Sequence, residues 1–208
     1  MTEEEARARL KADVSRETFG RLETYARGLE KWQRTINLVS PATLPQLWAR
    51  HFLDSAQVFD VSEARDGLWL DIGSGGGFPG LVCAAIAAEK APGLRFTFIE
   101  SDLRKGSFLR TVAAEMGLRV GVLTRRIEET PPQNATVISA RALASLPKLL
   151  GFAERHLAPG GTALFLKGAT HAAEMEEALE TWRMTVDPVA SKTAEDAVIL
   201  KIGDVRRA

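Results

Sequence analysis

The first third of the chain repeats apolar positions with the period of an α-helix. Thr2 and Glu5 form the pattern of a capping box at the start of one helix, and Ser15 can cap a second. Across residues 19–37 apolar side chains recur every three or four positions, which predicts an amphipathic helix over that range. A shorter helical pattern covers residues 44–59. Each predicted helix has one apolar stripe, so the rest of the chain must supply the surface that buries it.

Beyond residue 66 the pattern changes to short apolar runs that alternate with helical stretches. Glycines and prolines separate these segments. The predicted helices are 80–89, 103–116 and 146–156. The predicted strands are Leu68–Ile72, Arg95–Ile99, Arg119–Leu123, Thr136–Ser139, Ala163–Leu166, Met184–Val189 and Ala197–Ile202. This alternation predicts a parallel sheet with helices on both faces.

The last two predicted strands are joined differently from the others. Residues 190–196 are too few for a crossover, so these strands should pair antiparallel. We therefore predict an α/β fold with a seven-stranded Rossmann-like sheet, mostly parallel with a last antiparallel strand. The chain would be organised as an N-terminal helical extension, residues 1–66, packed on a main domain of residues 67–208.

The composition excludes several classes of protein. Hydrophobic residues make up 45% and charged residues 26%, which are ordinary globular values. The single cysteine, Cys83, lies in an apolar run, so we expect a buried thiol, no disulfide and no metal site. No run of 18 apolar residues exists, and the acidic N-terminus is unlike a signal peptide. We expect a cytoplasmic protein with no membrane contact and find no sign of an obligate protein partner.

The charge balance of the whole chain does not indicate a nucleic-acid-binding protein. Lys and Arg number 27, as do Asp and Glu, which gives a net charge of zero. Only residues 67–126 lean positive, with 8 basic and 5 acidic residues. Any RNA contact should therefore use local patches.

The most informative segment is a glycine-rich loop that follows the first predicted strand. Gly73, Gly75 and Gly77 come directly after this strand and precede a helix. Glycines permit positive φ angles and let a ligand lie against the backbone. In an open parallel sheet this is where ligands bind. If the ligand contains a methionine moiety, Asp71 just before the loop could face its amino group. For a nucleotide-like cofactor of any kind, Glu100 at the end of the second strand could accept the ribose hydroxyls.

The loop pattern alone fits two classes of ligand. G-x-G-x-x-G is typical of dinucleotide binding, whereas G-x-G-x-G is typical of S-adenosylmethionine (SAM) methyltransferases. The antiparallel final pair of strands and the Pro–Gly–Gly turn at 159–161 favour SAM. A nicotinamide-dependent oxidoreductase, a small-molecule methyltransferase and a non-catalytic SAM-binding assembly factor remain alternatives.

Several short motifs occur together in one order along the chain. They are Asn37–Ser40, Arg50–Ser55, Asp71–Gly80, Glu100–Lys105, Arg126–Glu128, Ser139–Ala142 and Lys167–Gly168. In these motifs the sequence resembles the bacterial 16S rRNA guanine-N7 methyltransferase family, known as RsmG or GidB. The resemblance extends from about residue 30 to the end, and it implies SAM as cofactor. It also implies that the substrate is a guanine in the 530 loop of 16S rRNA, free or within the 30S subunit.

The resemblance also assigns residues to the cofactor site. Gly73 and Phe78 in the glycine loop, and Ile127 and Glu128 after the third strand, should contact SAM. Arg141, at the end of the fourth strand, belongs to the family's binding site. To these we add Asp71, Gly75 and Glu100 from the general geometry of the class.

The implied chemistry needs no general base, because guanine N7 has a free lone pair and no proton to lose. Arg141 could orient the base through O6, a phosphate or the cofactor, or it could form a structural ion pair. His51 could touch RNA but is expected to pack between the two regions of the chain. Lys167 could meet a phosphate.

Overall fold

The computed structural model describes every residue from Met1 to Ala208. The helices are α1 (Glu3–Asp13), α2 (Arg16–Gln33), α3 (Asp54–Ser62), α4 (Gly80–Lys90), α5 (Leu103–Glu115), α6 (Leu146–His156) and α7 (His171–Thr181). The strands are β1 (Asp66–Ile72), β2 (Gly93–Ile99), β3 (Val120–Leu123), β4 (Ala135–Arg141), β5 (Leu157–Lys167), β6 (Trp182–Ala190) and β7 (Val198–Arg207). None of the helices has both the length and the apolar character needed to cross a membrane.

The seven strands form a single sheet in the order β3–β2–β1–β4–β5–β7–β6. Strands β1 to β5 pair in parallel, and β7 lies antiparallel between β5 and β6. This topology confirms the predicted fold class, including the antiparallel last strand. The order of the strands reverses between β1 and β4, so the carboxyl ends of these two strands border a crevice where ligands can bind.

The N-terminal helices begin where the sequence predicts, but α2 ends early. Thr2 and Ser15 cap α1 and α2 as expected. Helix α2 stops at Gln33, four residues before the predicted end. The Gln33 carboxamide accepts hydrogen bonds from the backbone N–H groups of Leu38 (2.9 Å) and Val39 (3.1 Å). These side-chain bonds replace the helical ones and fix the loop that follows.

The single helix predicted over residues 44–59 is wrong. The chain instead forms a 3₁₀ turn over Pro41–Gln46, a π-helical turn over Trp48–Leu53 and then α3. The reason is a distant contact: the Glu3 carboxylate accepts the backbone N–H groups of Trp48 (2.6 Å) and Ala49 (3.1 Å). Such wide turns are frequent at functional sites.

The core forms on both faces of the sheet. Successive residues of β1 alternate between the faces, so Trp69 packs with α1–α5 while Leu70 packs with α6 and α7. On the first face the aromatic side chains of Tyr25 and Phe52, from the N-terminal region, join the same core as Trp69. Cys83 is fully buried there, and burial raises the pKa of its thiol well above the ordinary value. Because this core is continuous between the two regions, the division of the chain at residue 66 stays a prediction.

Two glycines of α2 make a matched test of the packing against α5. A Cβ atom on Gly28 would lie 2.4 Å from Val112 Cγ2, whereas one on Gly20 would meet nothing within 4 Å. Gly28→Ala should lower the free energy of unfolding by about 1–3 kcal/mol through overpacking. Gly20→Ala should raise it by about 0.5–1 kcal/mol, because alanine loses less entropy in a helix. Urea unfolding of both variants checks this, and equal effects would contradict the close α2–α5 contact.

Candidate active site

A cavity of about 650 Å³ opens at the carboxyl ends of β1 to β4. This volume is within the range of pockets that hold small ligands and cofactors. Seven of the eight residues predicted to bind the cofactor line the cavity: Gly73, Gly75, Phe78, Glu100, Ile127, Glu128 and Arg141. The fold thus gathers residues from the carboxyl ends of four strands, β1 to β4, into one site, which we call the cofactor cavity.

The loop between β1 and α4 presents its backbone to the cofactor cavity. Gly73 and Gly75 have φ angles of +63° and +52°, which residues with a Cβ atom rarely adopt. The N–H group of Gly73 donates to the carbonyl oxygen of Ile99 at 2.8 Å. On the opposite side the buried Tyr25 hydroxyl donates to the carbonyl oxygen of Gly76 at 2.5 Å. The loop is therefore held between β2 and α2.

Glu100 lies beside this loop, immediately after β2. Its Oε2 accepts the N–H group of Gly75 at 2.8 Å, and its Oε1 accepts that of Asp102 at 2.8 Å. Each carboxylate oxygen can accept a second hydrogen bond, so a ligand hydroxyl can still bind here. The ribose contact stays a prediction, and the structure adds that Glu100 restrains the glycine loop.

Asp71 is the one predicted residue that does not line the cofactor cavity. It is 1% exposed and lies beside Gly80 at the start of α4. Its Oδ1 accepts a hydrogen bond from Ser139 Oγ at 2.5 Å, and Ser139 accepts one from Trp69 Nε1. Burial raises the pKa of Asp71 to about 6, and the bond from Ser139 opposes this shift. Asp71 lies outside the lining because the alternation of β1 directs it to the same face as Trp69, and its contact with a methionine amino group stays a prediction.

The segment after β3 forms another wall of the cofactor cavity. Ile127 is buried, and its carbonyl oxygen lies 3.2 Å from His156 Nε2. Glu128 is about half exposed and lies 3.7 Å from Lys148 Nζ. An exposed ion pair of this kind is weak, so the Glu128 carboxylate remains available to a ligand.

Arg141 connects the end of β4 to the N-terminal region. Its Nη1 donates to the carbonyl oxygen of Arg50 at 3.1 Å and lies 3.8 Å from Asp54 Oδ2. Its Nη2 lies 2.7 Å from His51 Nδ1, and the guanidinium stacks 4.9 Å above the Phe78 ring. The structural pair considered from the sequence is thus present. Two of the five guanidinium N–H donors are used, so the other three can donate hydrogen bonds to a ligand.

The protonation of His51 follows from its partners. An arginine can only donate, so the Nδ1 facing Arg141 is unprotonated, and Nε2 donates to Thr43 Oγ1 at 2.8 Å. Burial, helped by the charge of Arg141, lowers the pKa of His51 to about 3. His51 is therefore neutral at pH 7, and its only lone pair is occupied. The expected packing between the two regions is confirmed, although the ring also borders the cofactor cavity.

The N-terminal region supplies a wall that the sequence did not predict. Leu38, Val39, Ser40, Thr43, Arg50, His51 and Asp54 all line the cofactor cavity. The available signal was the pair of motifs Asn37–Ser40 and Arg50–Ser55, which hydrophobic periodicity leaves without a role. The N-terminal region therefore completes the site through its loop and its 3₁₀ and π-helical turns, in addition to covering the sheet.

Lys167 is committed to a structural contact. Its Nζ donates to Glu174 Oε2 at 2.6 Å and to the carbonyl oxygen of Ala144 at 2.8 Å. Only 9% of the side chain is exposed. A phosphate contact would require breaking this pair, so Lys167 is not a free cation of the site.

The strand order and the position of the glycine loop give the fold of SAM-dependent methyltransferases. A SAM-dependent methyltransferase from Aquifex aeolicus shares the fold, with a TM-score of 0.56 and 15% identity, over 85% of this chain and 97% of that one.

The family follows from the comparison of sequences. The model of rRNA small subunit methyltransferase G (GidB) matches residues 19–198. A relative of that name from Ruegeria sp. (strain TM1040) is 53% identical over 203 residues, which cover 98% of each chain. Another from Jannaschia sp. (strain CCS1) is 49% identical over 201 residues, which cover 97% of this chain and 95% of the relative. The chain belongs to the rRNA small subunit methyltransferase G family, which excludes the oxidoreductase alternative.

The residues of the cavity fit SAM. A Cβ atom on Gly75 would point into open space, with its nearest neighbour the Gly73 carbonyl oxygen at 3.9 Å, so a ligand can approach the loop backbone. Ile127 offers an apolar surface to an adenine ring, and Glu100 and Glu128 offer acceptors for hydroxyl and amino groups.

Gly75 and Gly117 make a matched pair for testing the cofactor site. Both have positive φ angles, +52° and +70°, and neither has an atom crowding the position of a Cβ. Alanine at either position should cost about 1–2 kcal/mol of stability. Only Gly75→Ala also places a methyl group against the bound cofactor, and it should weaken SAM binding by about 1–3 kcal/mol. Calorimetric titration with SAM distinguishes them, and equal affinities would place the cofactor elsewhere.

The lowered pKa of His51 predicts a loss of stability in acid. The folded protein binds fewer protons than the unfolded chain between about pH 6.5 and pH 3. The stabilising contribution is therefore complete above pH 6.5 and is lost as the pH falls through this window. Relative to His51→Gln, the wild type should lose up to about 1.4 kcal/mol per pH unit.

Unfolding in urea between about pH 7.5 and 4.5 measures this difference. Asp71 acts in the opposite sense, because its raised pKa makes stability fall as the pH rises from 3.8 to about 6. Asp71 is common to both proteins, so subtraction removes its effect. Parallel curves for the two proteins would show that His51 is not held neutral in the folded protein.

Proposed function

We propose that the protein methylates N7 of a guanine in the 530 loop of 16S rRNA, in the cytoplasm, with SAM as methyl donor. The proposal rests on family membership and on one observation of this structure, the cationic border of the cofactor cavity. Methylation at guanine N7 is the activity of the family, and it needs no general base, because N7 has a free lone pair and no proton to lose.

The border of the cofactor cavity is positive although the whole chain is neutral. Its basic residues are Arg50, Lys105, Arg125, Arg126, Arg141 and Lys148, and its acidic residues are Asp54, Glu100 and Glu128. Six positive and three negative groups attract a phosphate backbone locally. The expectation of RNA binding through local patches is supported by this distribution, which a small neutral substrate would not need.

The reaction requires the protein to align the nucleophile, the methyl group and the sulfur in a line and to exclude water. When bound, SAM supplies a methyl group activated by its sulfonium. The residues of the glycine loop and Glu100 hold the cofactor, and Arg141 is placed to orient the base at the border of the cavity. His51 takes no proton, because Arg141 occupies its free lone pair.

Substitution of Arg141 should affect turnover more than cofactor binding. Arg141→Ala removes the orienting donors, and a displacement of about 1 Å can lower the rate about 100-fold. Arg141→Lys keeps the charge but loses the planar fork, so it should rescue poorly. The measurement is methyl transfer from labelled SAM to 30S subunits and to free 16S rRNA, beside a SAM titration and a melting curve.

Arg110→Lys is the matched control, because Arg110 also bonds to backbone but does not line the cavity. It should leave methyl transfer unchanged. Loss of SAM affinity equal to the loss of rate would make Arg141 a cofactor ligand instead. Failure of the wild type to methylate either form of the RNA would contradict the proposed function.

A further inference from the structure

A second cavity, also of about 650 Å³, adjoins the cofactor cavity. Five residues line both: Asp54, Arg141, Ala142, Leu143 and Ala144. Ala142 has a φ of +51°, an unusual value for a residue with a side chain. The remaining apolar lining comes from Leu149, Leu166, Ala197, Val198 and Ile199. A flat, partly apolar ring such as a nucleobase suits this second cavity, with one edge directed to the cofactor cavity.

Two of the four charged groups in the second cavity neutralise each other. Lys167 and Glu174 form a pair at 2.6 Å, and Glu174 Oε2 also accepts the N–H group of Leu146 at 2.8 Å. The other two, Asp54 and Arg141, lie at the boundary between the cavities. The charged groups free to recognise a ligand are therefore at that boundary.

The Asp54 carboxylate is held in one orientation. Its Oδ1 accepts hydrogen bonds from Gln57 Nε2 (2.8 Å) and Thr193 Oγ1 (2.7 Å), with Ser191 Oγ at 3.4 Å. Its Oδ2 has no hydrogen bond and lies 3.8 Å from Arg141 Nη1. The side chain is 16% exposed. An oriented acceptor thus lies next to an oriented donor, and both face the second cavity.

We propose that Asp54 and Arg141 select guanine in the second cavity, with Arg141 donating to O6 and Asp54 Oδ2 accepting from N1–H. This inference rests on the proposed function. Guanine presents N7, O6 and N1–H in that order along its edge, so binding O6 and N1–H leaves N7 free beside them, toward the cofactor cavity. Adenine presents an amino group and an unprotonated N1, which places donor against donor and acceptor against acceptor.

Asp54→Asn tests the acceptor with little change in shape. Three donors hold the position of Oδ1, so the amide oxygen must stay there and the amide nitrogen replaces Oδ2. A donor then meets the N1–H group of guanine. The matched control is Asp60→Asn, the same change in α3 at an exposed residue that lines neither cavity.

The substrates are 30S subunits reconstituted with 16S rRNA that carries guanosine or N1-methylguanosine at the target position. The wild type should prefer guanosine by about 10- to 100-fold in kcat/KM, the range for a hydrogen bond to a charged group. Asp54→Asn should lose about 10- to 100-fold on guanosine, and its preference should fall to within about threefold. Asp60→Asn should match the wild type. A SAM titration and a melting curve verify that each variant is folded and binds cofactor.

Three results would overturn the inference: full activity of Asp54→Asn, a loss of its activity with the preference retained, or a wild type that accepts both nucleotides equally. The second would mean that Asp54 acts only by placing Arg141. The third result is measured on the wild type, so it would overturn the inference even if the variant does not fold. Absence of transfer to guanosine by the wild type would instead overturn the proposed function, so the two failures are distinguishable.

Discussion

The Arg141 guanidinium connects the end of β4 to the N-terminal region, and the rest of the site depends on this connection. Arg141 ends β4, and its partners Arg50, His51 and Asp54 come from the turn that precedes and begins α3. Without that bridge the N-terminal wall of the cofactor cavity would lose its polar attachment to the end of β4. Burial and this same contact together keep His51 neutral, because Arg141 occupies the position where a proton on Nδ1 would lie.

The glycine loop is held by one contact from each of the two regions of the chain. Glu100 holds the loop from the side of β2, and the Tyr25 hydroxyl holds it from α2. Both groups act on backbone atoms, so the loop keeps its left-handed residues in place before a ligand arrives. Preorganisation of this kind reduces the entropy lost on binding. The helical extension is thus part of the binding site as well as part of the core.

The sequence predicted most of the fold because alternation and helical period are local signals. The glycine loop and Glu100 were found because each follows a recognisable strand, whereas Arg141 was assigned by the resemblance to the family. The position of Asp71 outside the cavity lining could not be predicted, because β1 is apolar on both faces and its pattern does not tell which face borders the ligand. The turn at Trp48 could not be foreseen, since it depends on the Glu3 carboxylate 45 residues away. Asp54 escaped notice for the same reason: its orientation comes from Ser191 and Thr193, distant in sequence.

The central claim is that this protein methylates a guanine of the 530 loop. Mass spectrometry of 16S rRNA from cells with and without its gene tests that claim most directly. The account predicts that the fragment containing the 530 loop lacks one methyl group when the gene is absent, and that the intact gene restores it while the rest of the rRNA is unchanged. Identical 530-loop fragments from the two strains would contradict it.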